Sequence, residues 1–245
     1  MSMIQKFILP LLLSNLLYAD TIGGEVSLGL FAHSIEGESS YQSSHSIDFS
    51  DTLNFSHTQD IFFSASIEHP FPLFPNLKFS YNPLSYNDNS HVSELSWGKI
   101  ENYNGNINTS FSLDYTDITL YYELLDNWVE VDAGLTFRYV KGEMSIQNTL
   151  RTDRISYSTL FPLLYIKTRF NIPSTDISLQ AEANLLSLSV TSSYDYSLSA
   201  RYTFMMGLAL EAGYKKFHLE SDELFNSLET SMDFSGPYTS VIWDF

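Results

Sequence analysis

The chain contains no cysteine, which excludes a disulfide framework, a lipid-modified cysteine anchor and any thiolate metal site. Basic residues are scarce, with 12 Lys and Arg against 29 Asp and Glu for a net charge of −17. Phosphates would be repelled by such a surface, so nucleic acid is not an expected partner. Long apolar runs are also missing. The one concentrated stretch, Phe7 to Leu17, is too short to cross a bilayer as a helix, which takes about 20 residues.

That stretch follows a single positive charge at Lys6 and precedes Leu17-Tyr18-Ala19, the layout of a secretory signal peptide with cleavage expected after Ala19. Residues 1–19 are therefore read as a signal segment and 20–245 as one β domain. Loss of the segment removes one lysine and no acid, leaving a net of −18.

What the chain does have is alternation. Period-two patterns predict ten strands, at about 22–35, 59–69, 76–87, 111–124, 128–142, 154–170, 176–190, 194–204, 208–221 and 231–245. The fifth puts Val129, Val131, Ala133, Leu135, Phe137 and Tyr139 on one face and Glu130, Asp132, Gly134, Thr136 and Arg138 on the other. Segments 36–58, 88–110 and 143–153 are rich in Ser, Asn and Asp and are expected to be long loops, while Pro and Gly mark short turns at the opposite end. Two places break the pattern. Leu160 to Ile166 is apolar almost throughout, and after Leu185 the apolar phase slips to Leu186, Leu188 and Val190, as a bulge would cause.

Modest hydropathy with 15% aromatics suits a membrane barrel, because only alternate residues need be apolar. The expected fold is all-β: a transmembrane antiparallel up-and-down β-barrel of about ten strands with periplasmic termini, or eight strands if the seventh and eighth merge with their neighbours. A soluble β-sandwich also produces alternation. Long loops at one end and an apolar alternating strand running to the last residue favour the barrel.

The segments Asp20 to Gly29, Glu68 to Asn76, Thr119 to Trp128 and Gly236 to Phe245 resemble those of a family of small, functionally uncharacterised Gram-negative outer-membrane β-barrel proteins. The resemblance implies the cell outer membrane as location. It also implies that Val241, Trp243 and Phe245 form the signal read by the barrel assembly machinery. It brings no catalytic or binding residue with it.

With the apolar faces outward, Glu25, Lys78, Asp117, Glu123, Glu130, Asp132, Arg138, Lys167, Arg169, Glu182, Arg201, Glu211 and Lys215 fall on the lumen side. Both signs occur there, so a pairing network is expected, because unpaired charges in a narrow lumen cost several kcal/mol. Trp128, Phe170, Trp243 and Phe245 are expected at the membrane interface, with Phe71, Phe74 and Phe204 on the same side. Phe137, Tyr139, Tyr157, Tyr194 and Phe217 would form the outer girdle. Outer-membrane lipids and lipopolysaccharide would surround a monomer.

His33 and His218 lie toward the outer rim, the second near Ser221 and Asp222, without a recognisable catalytic motif. No enzyme, cofactor or metal site is expected. The acids Glu36, Glu38, Asp48, Asp51 and Asp60, with Glu220, Asp222, Glu223 and Glu229, match no calcium-loop pattern and read as solvated loop charge. The role expected first is structural or in surface interaction. A narrow diffusion pore comes second and a rim enzyme acting on lipid A or on protein third.

Overall fold

The computed structural model describes residues 22–42, 45–71, 73–187, 191–221 and 228–245. The expected signal segment, Asp222, Glu223 and residues 188–190 lie outside them. Twelve strands follow in order: β1 Gly23–Tyr41, β2 Ile47–Asp48, β3 Thr58–Glu68, β4 Asn76–Asn82, β5 Ser85–Trp97 and β6 Ile100–Leu125. The second half comprises β7 Val129–Gln147, β8 Thr152–Asn171, β9 Ile177–Ser187, β10 Thr191–Thr203, β11 Leu208–Ser221 and β12 Leu228–Asp244.

Every pairing is antiparallel, and the ladder closes where β12 returns to β1, from Glu25 opposite Asp244 up to Tyr41 opposite Leu228. The last residue takes part: the Phe245 amide donates to the Gly24 carbonyl and the Gly24 amide to the Phe245 carbonyl, both at 2.9 Å. Closure pairs the staves around the lipid-facing wall, except along β3 above Phe63, where its ladder to β4 ends. β4 and β5 act as one barrel strand, both pairing with β6 and interrupted at Pro83, which has no amide hydrogen for a ladder. β2 is a short addition to β1. The barrel therefore has ten staves.

Along most staves the two faces exchange character partway up. On β6, Ile118, Leu120, Tyr122 and Leu124 point out and are exposed, while Asp117, Thr119 and Tyr121 point in. Higher on the same strand Ile107, Phe111, Leu113 and Tyr115 point in, and Asn106, Asn108 and Ser110 point out. β7 does the same. Leu135, Phe137 and Tyr139 are outward below, whereas Val140, Met144 and Ile146 are buried inward above. The lower part is thus a membrane wall around a polar lumen. The upper part is a water-facing β body around an apolar core.

This inversion corrects three expectations. The polar segments 88–110 and 143–153 are mostly strand, because β5, β6, β7 and β8 continue upward as hairpins. Their outward Ser and Asn residues face water while the intervening residues fill the core. No bulge is needed at Leu185 and Leu186, since β9 and β10 pair without a register shift from Ser178 opposite Arg201 to Ser187 opposite Ser192. Leu186 packs against the apolar core instead. The uniformly apolar run in β8 is the crossover itself. Leu160, Leu164 and Ile166 face lipid, while Phe161, Leu163 and Tyr165 face inward. Tyr157 and Phe217, expected in the outer girdle, are buried core residues for the same reason.

Candidate functional site

Among the described residues the barrel interior gathers charged side chains from most staves, and it is built in layers. At the end that carries the termini and the short turns, Gly23, Glu25, Glu68, Glu123, Glu130, Asp132, Lys167, Arg169, Asp244 and Phe245 border an open vestibule of about 250 Å³. A small cavity of about 20 Å³, large enough for one water, lies among Lys78, Tyr121, Tyr165, Lys167 and Glu182. A central cavity of about 90 Å³ follows, bordered by Lys78, Asn82, Tyr115, Asp117, Arg138, Asp195, Arg201, Glu211 and Lys215 among others. All thirteen charges assigned to the lumen from the sequence border one or more of these spaces.

Ion pairs join distant staves across this space. Arg138 on β7 holds Asp117 on β6 with two hydrogen bonds of 2.8 and 2.6 Å and meets Asp195 on β10 at 2.6 Å. Its guanidinium lies 4.5 Å from the centre of the Tyr115 ring, a cation–π contact. Lys78 on β4 donates to both oxygens of Glu182 on β9 at 2.5 and 2.6 Å. Arg201 on β10 reaches Glu25 at 2.8 Å and Glu211 at 3.3 Å. Arg169 meets Glu25 at 3.3 Å and Glu130 at 3.2 Å, and Lys167 meets Asp132 at 3.1 Å. Neutral groups extend the network: Thr119 and Thr136 hydroxyls lie 2.8 Å apart, Thr136 donates to Asn184, and Asn184 donates to Asp195.

Lys215 is placed differently. Its ammonium donates to Asn82 at 2.5 Å and lies 5.3 to 5.6 Å from the Phe31, Phe62 and Tyr115 rings. It marks the top of the polar lumen.

Above Lys215 the interior is mainly apolar. Phe31, Ile35, Phe111, Leu113, Tyr115, Val140, Met144, Phe217 and Phe234 belong to one buried cluster. Phe217 stacks on Phe234 at 5.7 Å and Phe234 on Phe111 at 6.2 Å. The segment after β1 folds into the mouth and contributes Ile47, Phe49, Leu53 and Phe55. Asp48 fixes its bend by accepting from the Ser50 and Asp51 amides at 2.8 and 2.6 Å. Trp97 and Ile100, at the tip of the β5–β6 hairpin, close the top, where the Gly98 amide donates to the Tyr41 carbonyl at 3.0 Å.

Sequence reasoning missed this cap. Its signal was present in alternate positions of polar segments, such as Ile107, Thr109 and Phe111. It also missed the junction beneath the cap, where the fully buried His33 holds Nδ1 2.5 Å from the Tyr86 hydroxyl and Nε2 3.1 Å from Asp60; a neutral imidazole protonated on Nε2 accepts from the first and donates to the second. Asp60 is thus no solvated loop acid.

The rim histidine does not meet a nucleophile. His218 lies on the outward face of β11, stacked on Tyr194 at 4.7 Å with Nδ1 3.0 Å from Asp233. Ser221 is buried inward and bonds Thr191 at 3.2 Å. The aromatics Trp128, Phe170, Trp243 and Phe245 are exposed near the short-turn end. Trp128 meets Phe170 edge-on at 5.4 Å, and Trp243 lies 5.1 Å from Phe245. Val241 shares the lipid-facing side of β12 with Trp243.

A closed antiparallel barrel with an exposed apolar belt, interfacial aromatics and a charged interior is a membrane-spanning β-barrel. Its fold is that of bacterial outer-membrane barrels, and the outer membrane is its location. The outer-membrane protease OmpT of Escherichia coli superposes with a TM-score of 0.54 over 93% of this chain and 97% of that one, at 10% identity. The NalP translocator domain of Neisseria meningitidis gives 0.44 over 99% and 95%, at 14% identity. The Ail protein of Yersinia pestis gives 0.40 over 91% and 99%, at 9% identity. No protein-family model matches the chain, and no curated relative does.

Proposed function

We propose that this protein is a monomeric, non-enzymatic outer-membrane anchor for a rigid surface-exposed β body, with a role in surface interaction. The observation that carries the reading is the inversion of the staves above the membrane. A diffusion pore needs its polar lining to continue to the outside, and here the lining ends at Lys215 beneath a packed aromatic core. A protease or lipid-modifying role finds no support at the rim, where His218 and Ser221 occupy opposite faces. Outer-membrane lipids and lipopolysaccharide surround the apolar belt in this reading. The assembly machinery reads the exposed Val241, Trp243 and Phe245 edge.

Conductance tests the closure. Purified protein in planar bilayers near neutral pH is expected to stay silent, and a variant with residues 47–57 replaced by a Gly-Ser linker is expected to conduct. Discrete openings of the unaltered protein would overturn the closed-anchor reading. Cells carrying a form trimmed at the β5–β6 and β7–β8 hairpins are expected to lose adhesion that cells with the full chain show; equal adhesion would remove the surface role.

A further inference from the structure

The wall has one weak seam. β3 pairs with β4 only from Phe63 opposite Tyr81 down to Ile67 opposite Leu77. Higher up, among the described residues, no backbone ladder joins β3 to β5, although β3 continues to Thr58 and β5 begins at Ser85. Each of these strands is held on its other side, β3 by β1 and β5 by β6.

Side chains bridge the gap. Asp60 on β3 accepts from the Ser85 hydroxyl at 2.8 Å through Oδ1 and from the Ser85 amide at 2.9 Å through Oδ2. The same Oδ2 accepts from His33 Nε2. Tyr86, the next residue of β5, holds its hydroxyl 2.5 Å from His33 Nδ1, and its ring lies against Phe55, Phe111 and Phe234. Ser85 is thus tied to β3 through the Asp60 carboxylate and Tyr86 to β1 through the His33 imidazole, alongside an exposed hydrogen bond of 3.4 Å from Asn54 to Asp88 on β5.

This arrangement is complete only with neutral His33, which donates at one nitrogen and accepts at the other. A proton on Nδ1 leaves the buried Tyr86 hydroxyl without its acceptor. The charged groups facing His33 are Asp60 from β3 and Lys215 from β11, with Tyr86 from β5 as the titratable neighbour and the Phe31 and Phe234 rings covering it. His33 lies above the last lipid-facing residue of β1, Leu30. Burial there holds it below the ordinary imidazole value against the upward pull of Asp60.

We propose that the β3–β5 seam is an acid-responsive gate in the barrel wall, latched by Asp60, Ser85, Tyr86 and His33, which on opening joins the central cavity to the cell exterior. The device adds to the closed state at neutral pH and does not depend on what the outer body contacts.

Because the chain has no cysteine, a single introduced thiol reports the gate. Ser80→Cys places it on the central cavity wall, and Thr149→Cys serves as an exposed control. Whole cells are treated with a thiol reagent whose slim reactive head is tethered to a body too large to enter the periplasm, at about pH 7.5 and about pH 5. The rate at position 80 relative to position 149 is expected to rise about tenfold or more at the lower pH. In a His33→Gln background, whose amide keeps one donor and one acceptor but takes no proton, the ratio is expected to stay at its neutral-pH value. An unchanged ratio in the unmodified background, or an equal rise with His33→Gln, overturns the proposal. Ser85→Ala, which removes the hydroxyl half of the Ser85–Asp60 tether without touching the histidine, is expected to raise the ratio at both pH values; no rise there also counts against the latch. Conductance of the unmodified protein at neutral pH would refute closure instead, so the two readings fail separately.

Discussion

Replacing Arg138 by methionine is expected to be among the most destabilising single changes in the lumen. The guanidinium is fully buried, carries two hydrogen bonds to Asp117 and meets Asp195 at 2.6 Å. Methionine approximates its length and fills the space between Tyr115 and Phe217, whose rings lie 4.5 and 5.3 Å from the guanidinium, so little of the loss is a cavity effect. What remains is a pair of carboxylates stranded in a poorly hydrated lumen. Breaking a buried ion pair from one side costs about 3–5 kcal/mol, or about two to nearly four orders of magnitude in the folding equilibrium. The companion Arg138→Met/Asp117→Asn/Asp195→Asn removes the charges together, and replacing buried ion pairs this way is often close to neutral. Urea titrations in lipid vesicles, with the folded fraction read from unheated gel migration, measure both. If the single variant loses less than about 1 kcal/mol, the buried charges are hydrated and the ion-pair argument fails. If the triple variant is as unstable as the single one, packing and not charge carries the effect.

Three further outcomes follow from the geometry. Gly236→Ala would place a methyl group 1.9 Å from the Ala32 carbonyl oxygen, where the β1–β12 ladder already skips a step beside Pro237. A loss of about 2 kcal/mol or more by the same titration is expected, and a neutral result would refute the close approach. Phe111→Ala removes a ring packed against Phe49, Phe55, Tyr86 and Phe234. It is expected to cost about 3–5 kcal/mol and to make the outer body, but not the membrane belt, sensitive to protease. The neutral form of His33 is favoured by folding, so stability is expected to fall as pH drops below its ordinary 6.5 and to level off once the folded-state imidazole is charged. His33→Gln should flatten that slope, and an unchanged slope would assign it to other groups.

The membrane half was legible because hydropathy and strand geometry agree there. In Val129 to Tyr139 every second residue is apolar and the others are polar, and one face meets lipid. The upper half carries the same period of two with opposite sign. Ile107, Phe111 and Leu113 alternate with Asn108, Ser110 and Ser112, yet abundant Ser and Asn made the segment read as loop. Alternation alone tells which residues share a face and not which face is inside. Fixing that takes the point where the strand leaves the membrane, set by all ten staves together. The latch was illegible for another reason. His33, Asp60 and Ser85 come from three strands and meet only because β4 stops at Asn82 and β5 resumes at Ser85.

The exchange of faces also fixes how deep the barrel sits. Just above the belt the outward positions include Glu36 on β1, Asp114 on β6, Lys141 on β7, Lys216 on β11 and Asp233 on β12. Sinking the barrel by one pair of residues would drag this collar toward hydrocarbon, at up to about 2–4 kcal/mol for a basic residue reaching the midplane. Rising by the same step would lift Leu30, Ile61, Leu160 and Tyr214 into water. The molecule thus carries its own waterline, and the height at which it presents its outer body is a property of the fold.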